Sequence, residues 1–271
     1  MAKNARVGVK GGRMTKQGRR TDFWWLTSNE AIKYKYLHVC HKEPYSDEPN
    51  SNKTPTSAPC FHSFDKNGNL SKSITCYPTE FLEQWRDKFE NINVFRSLSL
   101  FTTEQEGEEL LGPLVIDIDR EDETGEGYVQ NLDKALEDTR RLVKEYLCKF
   151  NKYDFRIFFT GHKGFNIEVR PQAIDIIPET NQRQQFKNIL ADINRIFGGN
   201  NTERFIDRFH EYLRLHNSIN RFIDNDGKEL NRMKFQLSLY ELNSLDVEEI
   251  RKRSENLASD YLTQCGDFKG D

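Results

Sequence analysis

The most constraining feature of this 271-residue sequence is a short apolar run that ends in two acids, Leu114-Val115-Ile116-Asp117-Ile118-Asp119. Such a run, rich in β-branched residues, predicts a buried strand. Because side chains alternate along a strand, Asp117 and Asp119 would lie on one face and Ile118 on the other. The pattern therefore predicts two carboxylates that converge where the strand leaves a hydrophobic core.

Two carboxylates placed in this way repel each other and lose hydration unless a cation lies between them. Hard oxygen ligands suit Mg²⁺ or Mn²⁺, with the phosphates of a substrate completing the coordination. The alternative is that acids at a strand end cap a neighbouring helix or face water, and a bare D-x-D pattern is compatible with both. A metal site at Asp117 and Asp119 therefore needs support from a second element.

That second element is the segment 155–169, in which Gly161-His162-Lys163-Gly164 separates two apolar stretches. The spacing predicts two strands joined by a tight glycine turn. The glycines let backbone amides approach an anion, Lys163 adds a positive charge, and Thr160 can donate a hydroxyl hydrogen bond. These residues indicate a phosphate-binding turn, although they would also make an ordinary hairpin. Metal on one side and basic donors on the other is the arrangement that nucleotidyl transfer requires.

The rest of the sequence predicts an α+β fold in which a mixed β-sheet is flanked by helices. Apolar residues at helical spacing predict helices over 132–150, 181–197 and 246–262. Strands are predicted over 94–101 and 234–242, and the acidic stretch 121–126 is predicted to be a loop. Residues 202–215 are compatible either with a helix or with a strand and a turn.

We divide the chain into a basic arm (1–22), an N-terminal subregion with a long polar loop (23–93), a core (94–245), and a C-terminal helix and tail (246–271). Residues 1–20 contain seven Lys and Arg and no acid, so this segment carries +7 and the remainder −10 of the net charge of −3. Such an arm can neutralise nucleic-acid phosphates, or it can simply solubilise the chain.

These motifs resemble those of the archaeo-eukaryotic primase superfamily, which includes primase catalytic subunits and primase-polymerases. The first family motif is an acidic D-x-D or D-x-E at a strand end, which Asp117 and Asp119 match. The second reads close to S-G-x-K-G-x-H, which Thr160, Gly161, Lys163 and Gly164 match. The resemblance implies a primase-polymerase architecture with an RRM-like catalytic core and nucleotidyl transfer with Mg²⁺ or Mn²⁺.

The third family motif is an acid that completes the metal site, with basic residues downstream. Ile206-Asp207 and the run 212–220 look similar, which implies Asp207 as a third metal ligand and Arg214 as a phosphate contact. The alternative is an amphipathic helix on which both side chains are solvated. The family histidine of the second motif is replaced by Asn166, and His162 or His216 could substitute for it, although a surface position is the default for both.

The resemblance implies a DNA-directed primase or polymerase that makes or extends primers on a single-stranded nucleic-acid template with nucleoside triphosphates. A helicase or another replication, repair or defence protein is the expected partner. Because Asn166 departs from the family pattern, the alternative is a catalytically weak or inactive subunit of the same fold that binds nucleic acid. A D-x-D sugar-nucleotide transferase is a third possibility, but it leaves the glycine–lysine turn without a purpose.

A second metal site is suggested by Cys40, Cys60, His62 and Cys76, which lie on either side of the polar loop. Four such side chains could hold Zn²⁺, although the spacing is irregular and packed thiols with surface histidines are the alternative. The five cysteines, without an export signal, predict reduced thiols. No apolar run approaches the roughly 20 residues needed to cross a bilayer, so we expect a cytoplasmic protein without membrane contact.

Overall fold

A computed structural model of the protein describes residues 22–25, 39–41, 45–46, 60–64, 70–71, 86, 90–101, 110–124, 127–174, 182–197, 212–224 and 227–266. In these ranges the helices are α1 (Leu132–Glu145), α2 (Gln182–Phe197), α3 (Leu239–Ser244) and α4 (Val247–Gly266), with 3₁₀ turns at Leu147–Lys149 and Pro171–Ile174. The strands are β1 (Val39–His41), β2 (Tyr45–Ser46), β3 (Cys60–Phe64), β4 (Leu70–Ser71), β5 (Val94–Ser97), β6 (Leu100–Phe101), β7 (Leu110–Leu111), β8 (Leu114–Asp119), β9 (Glu121–Thr124), β10 (Gly127–Gln130), β11 (Phe155–Phe159), β12 (Gly164–Val169), β13 (Tyr212–Arg214), β14 (Ile219–Ile223), β15 (Glu229–Met233) and β16 (Phe235–Leu237).

A four-stranded sheet in the order β16-β11-β12-β8 forms the centre of the described structure. Each neighbouring pair is antiparallel, and β11 and β12 form the hairpin that the glycine turn predicts. Alternation along these strands gives the sheet one apolar face and one polar face. The predicted α+β class is confirmed, but this sheet is antiparallel rather than mixed.

Helices cover the apolar face of this sheet. The buried cluster joins Ile116 and Ile118 of β8 to Phe165 and Ile167 of β12 and continues into all four helices. Each Leu, Ile or Phe side chain that is fully buried here contributes roughly 1.5–3 kcal/mol to stability. Asn131 caps the N-terminus of helix α1, because its side chain accepts a hydrogen bond from the Lys134 amide. Helix α1 packs on β8 and β12. The helices therefore fix the sheet from one side and leave the acids on the other.

A second sheet, in the order β13-β5-β1-β3-β4, joins regions that we separated along the sequence. Strand β1 belongs to the predicted N-terminal subregion, yet it pairs with β5 of the predicted core. A cluster of Leu98, Val115 and Leu213 connects this sheet to β8. Strands from both sides of residue 93 therefore pair in one sheet.

A third unit is the antiparallel hairpin β14–β15, which has β2 alongside in parallel. Helix α4 packs on this hairpin: the Ser254 hydroxyl donates to the Met233 carbonyl oxygen (2.9 Å), and Ala258 is buried beside Met233 and Ile219. The hairpin is thereby held next to the central sheet.

Two local predictions from the sequence are wrong. Within the acidic stretch 121–126, residues 121–124 do not form a loop, because Glu121–Thr124 pairs with Gly127–Gln130. The strand predicted over 234–242 stops at Leu237, since Ser238 begins helix α3 through a reciprocal capping box with Glu241. In both places, short-range hydrogen bonds determine the secondary structure, although the amino-acid composition of the segment predicts a different one.

Candidate functional site

Residues on the polar face of the central sheet are arranged in rows across three strands. One row contains Asp117 of β8, Asn166 of β12 and Phe158 of β11, which are register partners. The next row toward the glycine turn contains Asp119 and Gly164. Asp117 and Asp119 are partly exposed, whereas Ile118 between them is fully buried. The predicted strand and the shared face of the two acids are therefore confirmed.

Asn166 lies against Asp117 and is almost completely buried. Its side-chain amide donates a hydrogen bond to Oδ1 of Asp117. An amide donor stabilises the ionised carboxylate and orients it without adding a charge. Asn166 therefore contacts the first of the two acids.

Gly164 brings β12 unusually close to the end of β8. A Cβ atom at this position would overlap the Ile118 carbonyl oxygen and the Asp119 carboxylate. Only glycine fits the space, and this close approach puts the start of β12 beside the second acid. The Thr160 hydroxyl, predicted to serve a phosphate, donates instead to the Gly164 carbonyl oxygen (3.0 Å) and closes the turn.

The glycine turn rests on the β14–β15 hairpin. Gly161 has a left-handed φ of +88°, and a Cβ atom there would lie 3.1 Å from the Arg232 carbonyl oxygen. The His162 ring lies against Phe222 of β14, with the ring centroids 3.8 Å apart. The turn that carries Lys163 is therefore packed on a second element rather than projecting freely into water.

His162 is partly buried, so the surface position expected for it is wrong. Burial, followed by the nearby charges of Lys163, Arg232, Arg214 and Arg251, lowers the pKa of His162 to about 3. The ring is therefore neutral at physiological pH. A neutral ring adds no positive charge to a phosphate contact, and the predicted phosphate-binding role of His162 stays a prediction.

His216 is also in the interior, with only 1% of its surface exposed. Its ring stacks on Phe158 with centroids 4.0 Å apart, and its Nε2 donates to Glu168 Oε1 (2.6 Å). The expected surface position of His216 is wrong, because its ring lies between a buried carboxylate and an aromatic ring. Its predicted phosphate-binding role stays a prediction.

Glu168 is the buried anion beneath this site. It accepts from His216 and from Trp24 Nε1 (3.0 Å), and Lys234 Nζ lies 3.7 Å from its Oε1. Burial alone would raise the pKa of Glu168, but His216, Lys234 and Arg96 outweigh it and hold that pKa well below its usual range. Burial also lowers the pKa of Lys234 to about 8, against the opposing effect of Glu168.

Asp22 extends this buried network toward the N-terminus. Although it lies within the predicted basic arm, it is buried, and its carboxylate pairs with Arg86 (2.7 Å) and accepts from the His216 amide (2.8 Å). Arg96 donates to the Asp22 carbonyl oxygen (2.8 Å). Residue 22 therefore belongs to the folded interior.

Arg214, the predicted phosphate contact, lies on β13 and is half-buried. Its guanidinium donates to the Asn93 side-chain oxygen (2.9 Å) and lies 4.5 Å from the centroid of the Phe95 ring. These contacts hold the guanidinium close enough to His162 to influence its pKa. The structure thus brings Arg214 to the neighbourhood of the turn.

The remaining predicted ligands are described only in part. Asp207 and Cys76 lie outside the described residues. For Cys40, Cys60 and His62 the backbone is described: β1 and β3 are antiparallel, with Cys60 opposite His41, His62 opposite Val39, and Cys40 opposite Phe61. The zinc site and the third acidic ligand stay predictions.

A cation site needs suitable donor atoms, and among the described side chains no group of three His, Cys, Asp or Glu residues could hold a metal ion. Two carboxylates on one strand face nevertheless suit Mg²⁺, which is commonly bound through one or two carboxylates and completed by substrate phosphates and water. Asp117 and Asp119 fit this donor chemistry. Asp207 would be a third donor.

Sequence reasoning missed the buried network. Glu168 could have been found, because it lies two residues after Asn166 and alternation puts both on the polar face. Asp22, Arg86 and Lys234 carry no such local signal, since their contacts join residues that are far apart along the chain.

A scan of protein-family models and a search of curated proteins found no match to this chain. Among the described residues, none of the helices is both long and apolar enough to span a membrane. The residues of the polar face are therefore the basis for inferring a function.

Proposed function

We propose that the protein is a metal-dependent nucleotidyltransferase of the primase-polymerase type, which synthesises or extends primers on a nucleic-acid template. The observation that carries this proposal is the β8–β12 register, in which Asn166 lies opposite Asp117 and Gly164 opposite Asp119. The register brings a carboxylate pair next to a lysine-bearing glycine turn. Such adjacency supports binding of a triphosphate between a cation and basic donors.

In this proposal Asp117 and Asp119 hold Mg²⁺ or Mn²⁺, with Asp207 as a further ligand. The cation supplies charge stabilisation to the reacting phosphates. Lys163 and the backbone amides of the turn bind the phosphates, and Asn166 orients Asp117. The succession β8, α1, β11, β12, α2 and β16 would be the RRM-like catalytic core.

A second candidate function is a catalytically weak subunit of this fold that binds nucleic acid. One observation favours it: Asn166 uses its amide on Asp117 itself. The side chain therefore contacts a metal-ligand candidate, and the family histidine that it replaces would contact the nucleotide. This arrangement is compatible with template binding at a low rate of synthesis.

The two functions are separated by incubating the full chain with Mg²⁺ or Mn²⁺, labelled nucleoside triphosphates and a single-stranded template with and without a primer. Asp117→Asn/Asp119→Asn removes both negative charges with little change in shape. Asp260→Asn, on the exposed side of α4, is the matched control. We expect synthesis by the wild type and the control and none by the double variant.

Synthesis that persists in the double variant would contradict the proposed site. Template binding without synthesis in all three proteins would favour the binding subunit. Ribonucleotides and deoxyribonucleotides are supplied separately, because the same experiment then identifies the preferred sugar.

A further inference from the structure

A second group of polar side chains lies at the far end of the same sheet face, around Trp24. The Trp24 indole is half-buried and donates through Nε1 to Glu168. The guanidinium carbon of Arg156 lies 4.8 Å from the centroid of the Trp24 ring, and that of Arg170 lies 6.0 Å away. An aromatic ring is thus flanked by two cations.

The sheet fixes the place of this group, which we call the Trp24 cluster (Trp24, Arg156 and Arg170). Arg156 is the register partner of Glu168, and Arg170 is the residue directly after β12, where its amide donates to the Asp154 carbonyl oxygen (2.9 Å). Gly164, Asn166 and Glu168 succeed one another on one face of β12. The Trp24 ring, whose indole contacts Glu168, lies beside both Arg156 and Arg170. The Trp24 cluster lies at the end of this face opposite Asp119 and the glycine turn.

Among the residues that the structure describes, the Trp24 cluster carries more positive charge than its neighbours neutralise. Arg170 pairs with Asp154 at 3.6 Å, but its Nε is buried and has no hydrogen-bond partner among the described residues. Within the described part of the chain, Arg156 forms no salt bridge. Glu168, the other nearby acid, already pairs with His216 and Lys234. Burial, opposed by Glu168 and reinforced by Arg170, also lowers the pKa of Arg156.

We propose that the Trp24 cluster is a second contact site for single-stranded nucleic acid, in which Arg156 and Arg170 bind backbone phosphates and Trp24 contacts a base. Guanidinium groups match the geometry of phosphate oxygens, and an indole offers a surface for base stacking. The residues between this cluster and Asp117 are buried, since Asn166 is 5% exposed and Glu168 0%, so the Trp24 cluster would be a separate contact and not a continuation of the carboxylate pair. This contact needs neither metal nor catalysis, so it is tested apart from nucleotidyl transfer.

The test measures binding of a fluorescently labelled oligothymidylate to the full chain by anisotropy, without divalent metal and over a series of salt concentrations. Arg156→Gln/Arg170→Gln removes the two charges. Lys187→Gln/Arg195→Gln is the matched control, because both of its side chains are exposed on α2. Loss of two phosphate contacts lowers the slope of log affinity against log salt by about 1.4, at roughly 0.7 per contact for single strands. We expect this change in the Trp24 cluster variant and not in the control.

Two further variants keep the test independent of folding defects. Arg156→Lys/Arg170→Lys keeps both charges, and we expect it to retain the salt slope while binding more weakly. Trp24→Phe keeps an aromatic ring, and we expect it to reduce the quenching of tryptophan fluorescence by oligothymidylate, because Trp24 is half-buried and Trp25, the other described tryptophan, is fully buried.

Absence of binding by the wild type, or an unchanged slope in the Gln double variant, would overturn the proposal. Preferential binding of an acidic peptide over the oligonucleotide would overturn it as well. Arginine-dependent binding in a protein that synthesises nothing would support the Trp24 cluster and count against the nucleotidyltransferase. The failures of the two proposals are therefore distinguishable.

Discussion

Asn166 lies opposite Asp117 in the β8–β12 ladder and donates its side-chain amide hydrogen to the Asp117 carboxylate. This pair joins the two motifs that the sequence separates by about fifty positions. The amide restrains the Asp117 carboxylate through its Oδ1 oxygen. Asn166 is therefore a positioning residue for Asp117 in the proposed site.

Replacing Asn166 by Ala removes this restraint. Because partners that orient metal ligands typically contribute 10–100-fold to metal affinity or activity, we expect a loss of that order in Mn²⁺ affinity. Titration calorimetry with Mn²⁺ and a nucleoside triphosphate measures it, and Asn188→Ala on the exposed side of α2 is the control. Equal Mn²⁺ affinity in the wild type and Asn166→Ala would contradict a positioning role for Asn166.

Gly164→Ala tests the close approach of β12 to β8. The added methyl group would overlap the Ile118 carbonyl oxygen and the Asp119 carboxylate, so the strands must separate. Overpacking of this kind costs about 1–3 kcal/mol of stability. Urea denaturation monitored by circular dichroism measures the free energy of unfolding.

Gly227→Ala is an informative comparison for Gly164→Ala. A Cβ atom at Gly227 meets nothing within 4 Å, although its φ of +76° disfavours any side chain. We therefore expect backbone strain alone at Gly227 and strain from overlap at Gly164. Of these two variants, we expect only Gly164→Ala to lower metal-dependent activity as well. Unchanged activity in Gly164→Ala would contradict a role for Asp119 in the metal site.

Much of the central sheet follows from local sequence patterns. Period-two alternation correctly puts Asp117 and Asp119 on one face, because Ile118 must enter the core between them. The helix predicted over 181–197 is present as α2 for the same kind of reason. The apolar pattern within a single strand or helix predicts which of its side chains are buried, because each side chain faces either the core or the solvent.

The buried network could not be predicted in this way. His216 has no apolar pattern that predicts burial, and its position depends on Glu168 and Asp22, which are 48 and 194 residues away. Pairing over such separations is decided by how the sheets pack. The same reason explains why a sequence-based surface position for His216 is wrong.

Glu168→Ala tests the importance of this network for stability. Removing the carboxylate leaves Lys234 buried without its nearest anion and leaves Trp24 Nε1 and His216 Nε2 without an acceptor. Removing one partner of a buried ion pair typically costs roughly 3–5 kcal/mol of stability. We expect a loss of that size in the free energy of unfolding, whereas Glu137→Ala on the exposed face of α1 should change it by less than about 0.5 kcal/mol. Equal effects of both variants would contradict the network.

The pH dependence of stability tests the environment of His162. Its pKa is about 3 in the folded protein and 6.5 in the reference state, so the unfolded chain binds the proton more readily between these values. Stability contributed by neutral His162 is therefore present above pH 6.5 and decreases as pH falls toward 3.

The variant His162→Phe keeps a ring against Phe222 and removes the titrating group. We expect the wild type to lose more free energy of unfolding between pH 7 and pH 4.5 than this variant. Glu168 and Asp22 titrate in both proteins, so the difference between the two losses isolates His162. Identical losses would mean that His162 is not held neutral by its surroundings.

Mn²⁺ binding followed by electron paramagnetic resonance tests the central claim most directly. Free Mn²⁺ is titrated with the full chain in the presence of a nucleoside triphosphate, and Asp117→Asn/Asp119→Asn is titrated in parallel. We expect the wild type to bind the Mn²⁺–triphosphate complex and the double variant to lose this binding. Equal binding by both proteins would contradict a cation site on the Asp117–Asp119 pair.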